Sequence, residues 1–177
     1  MSKLVVISSS LRIQSTSRAL LDKALEGVKD NHEVEVIELR ELNYGFCKGC
    51  MACQQLGKCV QNDDINKVMD VVSNADILLF VTPIYYYSIS GQLKTFLDRL
   101  NALYTKDNKF KKVYSLFTCA DDNPKADEGP KKAIQGWVDC FDGVSYVDNF
   151  TGFGLDKTSD ITGVILDKAY KFGQLIK

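Results

Sequence analysis

Residues 76–83, DILLFVTP, run apolar without a break from Ile77 to Val81. A strand with one wet face alternates polar and apolar residues, so an unbroken run fits a strand covered on both faces. A chain with such a strand must also supply helices for two faces of a sheet. The remaining sequence has the matching pattern. KLVVIS (residues 3–8) is another short β-branched apolar run, HEVEVIEL (32–39) alternates like a strand nearer an edge, and KKVYSLFTCA (111–120) and GVSYVDNFTGFG (143–154) read as two more strands and their loops. Between them lie helical patterns. Leu20, Leu21, Ala24, Leu25 and Val28 recur at helical spacing, as do Ile65, Val68, Met69 and Val72 behind a cap at Asp63 or Asp64. Ser90 precedes Leu93, Phe96, Leu97 and Leu100, a fourth pattern spans about 131–141, and a last helix is expected from about Ser159 to the end.

Five strands alternating with five helices imply an α/β fold, a five-stranded parallel sheet with helices on both faces. Right-handed crossovers favour strand order 2-1-3-4-5, in which ligands sit beyond the carboxyl ends of strands one and three, where the winding reverses. With 177 residues and no repeat, linker or low-complexity segment, one domain over 1–177 is expected. A formal net charge of −1 and the lack of a basic run argue against nucleic acid as a partner. No stretch approaches the roughly 20 apolar residues of a membrane span, so no membrane insertion is expected. The four-residue apolar run near the start is too short for a signal peptide, and a cytoplasmic protein is expected.

The loop after strand one holds Ser8, Ser9, Ser10, Ser15, Thr16 and Ser17 and runs straight into a helix. Helix N-termini present unpaired N–H groups and partial positive charge, so six hydroxyls there, with Arg12, favour a phosphate over mere capping. A Walker loop is excluded by the missing Gly-Lys-Ser/Thr. The acidic pair of response regulators is absent, and no cysteine precedes Cys47, which excludes the low-molecular-weight phosphatases. After strand three, Tyr85, Tyr86 and Tyr87 stand in a row, an odd exposed apolar surface unless a flat ligand or a partner covers it.

The stretch SSSLRIQSTSRAL resembles the GSPR-x-x-G-N-T-x-x-L phosphate loop of the NAD(P)H-dependent FMN reductases, which are flavodoxin-like three-layer sandwiches. PIYYYSISGQLKTFLDR is similar to that family's PIYW-x-x-x-SGxLKxFxDR segment, GKCVQNDD to its GxCxxxDD, and TGFGLDKTSDI to its closing Gly-rich loop. The departures are Ser9 for Gly, Leu11 for Pro, Thr16 for Asn and Tyr86 for Trp. The resemblance implies that Ser10, Arg12, Ser15, Thr16 and Ser17 hold the FMN phosphate. It implies that Pro83, Ile84, Tyr85, Tyr86, Tyr87 and Ser88 line the ribityl chain and ring, and that Cys119, Ala120 and Asp121 approach the ring's polar edge. It further implies hydride transfer from NAD(P)H to FMN and on to a small-molecule acceptor such as a quinone, flavin, azo or nitro compound. Homodimers or homotetramers that complete the flavin pocket are implied as well. No separate dinucleotide fingerprint exists, so NAD(P)H would stack on the flavin. The single histidine, His32, reads as a solvated surface residue, and no acid–base pair is evident. That suits a cofactor-borne reaction.

Four of six cysteines fall in CKGCMACQQLGKC, spaced Cys47-x2-Cys50-x2-Cys53-x5-Cys59. Structural zinc sites join two knuckles across a dozen residues or more, whereas runs at x2, x2 spacing with a nearby fourth cysteine resemble those that wrap a [4Fe–4S] cube. The same spacing marks the iron–sulfur flavoproteins, a branch of the family. A cluster and a set of inherited free thiols both remain open. An iron–sulfur flavoprotein or a flavodoxin acting as an electron carrier between protein partners is the alternative to an NAD(P)H reductase, although flavodoxins are usually strongly acidic and the net charge here is −1; a flavin-free binding module is a third reading. The loop follows strand two and is expected at the flavin end of the sheet, while Cys140 reads as core on its helix.

Overall fold

The computed structural model describes residues 1–30 and 32–177. Strand β1 (Ser2–Ser8) leads to helix α1 (Thr16–Gly27), β2 (His32–Glu38), the short α2 (Ala52–Leu56) and α3 (Ile65–Ser73). Then follow β3 (Ile77–Tyr85), β4 (Ser88–Ile89), α4 (Gly91–Arg99), β5 (Lys112–Thr118), α5 (Glu128–Val138), β6 (Ser145–Gly152) and α6 (Gly163–Leu175). The sheet runs β2-β1-β3-β5-β6, all parallel, with Leu4 opposite Ile77, Ile77 opposite Lys112 and Lys112 opposite Ser145. This is the expected 2-1-3-4-5 winding; the labels shift because the two-residue β4 folds back antiparallel on the end of β3.

The unbroken apolar run of β3 explains the layers. Leu78 and Phe80 face one way, into a core with Val5 and Ile7 of β1 and with Met69, Leu93, Phe96 and Ile134 from α3, α4 and α5. Ile77, Leu79 and Val81 face the other way, against Leu20, Leu21 and Ala24 of α1 and Phe172 of α6. Each such side chain, fully buried, contributes roughly 1.5–3 kcal/mol. Among the described residues no helix is long and apolar enough to cross a membrane.

Several local expectations are corrected. His32 is 8% exposed, because it opens β2 opposite Ser2, whose hydroxyl lies 2.7 Å from Nδ1. Cys140 is exposed, since α5 starts three residues earlier than expected and ends at Val138, leaving Cys140 beyond its last turn. The last helix begins at Gly163 behind a Thr162 cap, and the stretch around Ser159 is a separate 3₁₀ turn (Thr158–Asp160). At α3 the N-cap position belongs to Asp64, but it is Asp63 that accepts a bond from the Ile65 N–H.

Candidate functional site

The loop after β1 enters α1 at Ser15, whose hydroxyl accepts from the Arg18 N–H as an N-cap. The N–H groups of Thr16 and Ser17, in the first turn, have no intrahelical acceptor. Together with Ser10, Arg12 and Ser15 they border a cavity of about 130 Å³, whose far wall is Pro83, Ile84, Tyr85, Thr118, Ala120, Leu155 and Asp156. Arg12 has no carboxylate partner among the described residues. The loop is anchored from behind. Ser9 donates through both N–H and hydroxyl to the Val81 carbonyl, Ser90 Oγ donates to Ser9 Oγ at 2.9 Å, and the Ser90 N–H donates to Thr82 Oγ1. The Ser17 hydroxyl is engaged with Thr118 Oγ1 at 2.6 Å, tying α1 to β5. Its side chain is therefore a tether, which leaves only its backbone N–H to face the cavity.

Opposite this loop, β3 and β4 form a hairpin with Tyr86 and Tyr87 as its two-residue turn. Both have positive φ, 49° and 60°, the geometry that suits the right-handed twist of a hairpin and that glycine or asparagine ordinarily fills. Two tyrosines in the left-handed region are strained, and such strain concentrates at ligand and partner sites. Tyr86 is fully exposed. The Tyr87 hydroxyl donates to Asp121 Oδ2 at 2.6 Å, which holds the Asp121 carboxyl below its ordinary range and raises the phenol. Beneath the turn, Gly129 of α5 admits the Tyr87 carbonyl so closely that a Cβ there would lie 2.0 Å from its oxygen.

Of the expected flavin contacts, the structure brings Ser10, Arg12, Ser15, Thr16, Ser17, Pro83, Ile84, Tyr85 and Ala120 to one cavity. Tyr86, Tyr87 and Ser88 stand beyond its rim on the hairpin, and Asp121 meets Tyr87 there. Cys119 does not line the cavity. Its side chain packs into the core with Phe117 and Ala126, and burial pushes its thiol up. Alternation along β5 explains this, because Thr118 and Ala120 face the cavity instead. Thr118, Leu155, Asp156 and Gly129 were not singled out from sequence. Leu155 and Asp156 fall within the TGFGLDKTSDI stretch, whereas no pattern marked Thr118, at the end of β5, or Gly129, in the first turn of α5.

The cysteine loop does not join this end. It descends beside α4: the Tyr44 hydroxyl, pushed up to about 12 by burial, donates to the Gln92 carbonyl near the helix start. The thiols lie by Arg99 and Asn101, past its last turn. Nine residues of helix, about 13 Å at 1.5 Å per residue, separate Ser90 from Arg99. Cys47, Cys50, Cys53 and Cys59 surround one cavity of about 20 Å³. Among the described residues no three His, Cys, Asp or Glu side chains converge on a single ion. A cube binds each cysteine at a different iron, so its thiols stand wider apart than a mononuclear site requires. The donor set, four thiols round one cavity with no three of them converging on a single ion, fits such a cluster better than zinc. Three sulfurs already accept N–H bonds: Cys47 from Gly49, Cys53 from Asn101 and Cys59 from Arg99.

A family model described as NADPH-dependent FMN reductase matches residues 2–125. An iron–sulfur flavoprotein of Archaeoglobus fulgidus is 33% identical over 99 residues, 55% of this chain and 45% of that protein, so the chain spans about half the length of this relative. An iron–sulfur flavoprotein of Methanosarcina thermophila is 26% identical over 138 residues, 77% of this chain and 72% of that one. The NAD(P)H:quinone oxidoreductase from Methanothermobacter marburgensis shares the fold, with TM-score 0.74 at 19% identity over 98% of this chain and 96% of that one.

Proposed function

The chain belongs to the NADPH-dependent FMN reductase family, and on that premise we propose that residues 1–177 act as an FMN-dependent NAD(P)H oxidoreductase domain. The observation that carries this reading is the cavity itself, where one free guanidinium, several hydroxyls and a helix N-terminus meet the end of the central strand. A volume of about 130 Å³ is far below the ~300–1,000 Å³ of sites that enclose a whole drug-sized ligand. It suits the phosphate end of FMN, with the ring held along the mouth. Ser10, Arg12, Thr16 and the first-turn N–H groups would bind the phosphate; Pro83, Ile84 and Tyr85 would shape the wall beside the ribityl chain and ring; the Tyr87–Asp121 bond would fix the hairpin over it. Bound FMN supplies the chemistry, taking two electrons and a proton from NAD(P)H and passing them to an acceptor. The protein's part is to hold the flavin and leave the hairpin side open to a second aromatic ring. The acceptor is proposed to be a small molecule of the quinone, flavin, azo or nitro class, the site a cytoplasmic one, and the active form a homodimer or homotetramer.

Purified yellow protein mixed with NADPH without oxygen should bleach at roughly 450 nm, the oxidised flavin band. A protein that binds FMN but does not bleach with either NADPH or NADH is no reductase. A second reading is favoured by the four thiols and their N–H donors: a [4Fe–4S] cluster at Cys47, Cys50, Cys53 and Cys59, making the protein an electron carrier between flavin and protein partners. Iron and sulfide analysis of anaerobically prepared protein decides it. About four of each per chain is expected for a cube, and iron-free protein removes that reading.

A further inference from the structure

Arg99 is the last residue of α4, and its side chain has no exposed surface. Its guanidinium holds both ends of the cysteine loop at once. Nη1 donates to the Gly45 carbonyl at 2.8 Å, just before Cys47, while Nη1 and Nη2 grip Asp63 Oδ2 and Oδ1 at 2.7 and 2.8 Å, just after Cys59. Nη2 also points to Cys59 Sγ at 3.4 Å. Two residues on, in the 3₁₀ turn Leu100–Thr105, half-buried Asn101 donates from Nδ2 to Cys53 Sγ at 3.3 Å. Asn66 of α3 completes the frame through the backbone. It accepts from the Cys59 N–H and donates to the Cys59 carbonyl, both at 2.9 Å.

These bonds exceed what loop closure needs. The ion pair with Asp63 already shuts the loop, and Asn66 already fixes Cys59, yet two N–H groups from one segment are turned onto two different sulfurs. Sulfur is a weak acceptor when protonated and a good one when it carries charge. Donors aimed at cluster sulfurs stabilise the more negative, reduced state and so raise the reduction potential. We infer that Arg99 and Asn101 are positioning residues of the thiol site: they preset Cys53 and Cys59 for an anionic iron–sulfur centre and set its potential through N–H···S bonds. This rests on the cluster reading above.

Asn101 is the residue to vary, because Arg99 also carries the Asp63 pair and its loss threatens the fold. Wild type, Asn101→Ala and Asn101→Asp are prepared without air and compared for melting temperature, flavin content, iron and sulfide content, and cluster potential followed by electron paramagnetic resonance. With melting and flavin content unchanged, Asn101→Ala should lower the potential. Asn101→Asp, of the same shape but facing the sulfur with an acceptor, should lower it further or shed iron. Iron-loaded variants whose potentials both equal that of wild type overturn the inference and leave the cluster reading standing. Iron-free wild type overturns both.

Discussion

Asp63 shows how a single residue can be half legible. In the sequence it reads as a helix cap, and it does accept the Ile65 N–H, but its larger role lies 36 residues away with Arg99. Spacing along the chain reveals local bonds, whereas this pair exists only because α4 ends beside the turn into α3. Burial alone would raise the Asp63 carboxyl; the Arg99 guanidinium, together with backbone N–H bonds such as that from Ile65, outweighs it and holds the group below the usual carboxylate range. A carboxylate with a depressed folded value stabilises the fold above its unfolded pKa, near 4, and loses that contribution as pH falls through the folded value. Asp63→Asn should therefore cost about 3 kcal/mol at neutral pH, since it leaves Arg99 buried without its counter-charge. In urea melts at a series of pH values, the gap between variant and wild type should close below about pH 4. A gap that stays constant into acid would show that the charge is not what matters. At the other site, Arg12 is the one cation that lines the phosphate cavity among the described residues. Loss of a charge-assisted bond of about 1.5–3 kcal/mol predicts that Arg12→Ala weakens FMN binding by roughly ten- to a hundredfold. Flavin fluorescence titration measures it.

At the scale of elements, periodicity announced every long strand and helix, because their apolar faces meet the two cores. The short α2 carries no buried residue, so no period marks it, and Cys140 is exposed against its apolar neighbourhood in the sequence because only the end of α5 decides which way it faces. What no pattern reveals is how closely two elements approach. On α6, a Cβ at Gly173 would fall 1.9 Å from the Ala24 carbonyl oxygen of α1, so the two helices touch backbone to backbone. Gly136, inside α5, has nothing within 4 Å of its would-be Cβ. The two glycines thus have opposite predictions. Gly173→Ala should lose about 3 kcal/mol as α1 and α6 are pushed apart, while Gly136→Ala should gain about 0.5–1 kcal/mol from helix propensity. Paired thermal melts check the signs. Gly129→Ala belongs with the first kind but at the site: it would displace the Tyr87 carbonyl and hairpin, so FMN affinity should fall by more than the melting temperature suggests.

For the whole molecule, the question is what covers the flavin end. The sequence marked the three tyrosines as an exposed apolar surface, and the structure adds Leu11, Ile13 and Phe46, which are 55%, 76% and 80% exposed. Leu11 and Phe46 line an open groove of about 680 Å³ between the phosphate loop and α4. Large exposed apolar groups such as these, and the exposed tyrosines of the turn, are costly to leave in water. A formal net charge of −1 offers little repulsion between copies. A second copy of the chain satisfies both conditions, and sedimentation equilibrium should give a dimer or tetramer at concentrations of about 10 μM, a range where ~8 kcal/mol or less of association energy already leaves monomer visible. Tyr86 holds its ring wholly in solvent, so its loss disturbs the protomer little. Tyr86→Ser should therefore leave the melting of the isolated chain unchanged while shifting mass toward monomer and loosening FMN. A wild-type chain that sediments as a monomer, or a Tyr86→Ser variant that keeps its mass but loses flavin, would mean that the hairpin is strained for a ligand alone and not for a partner.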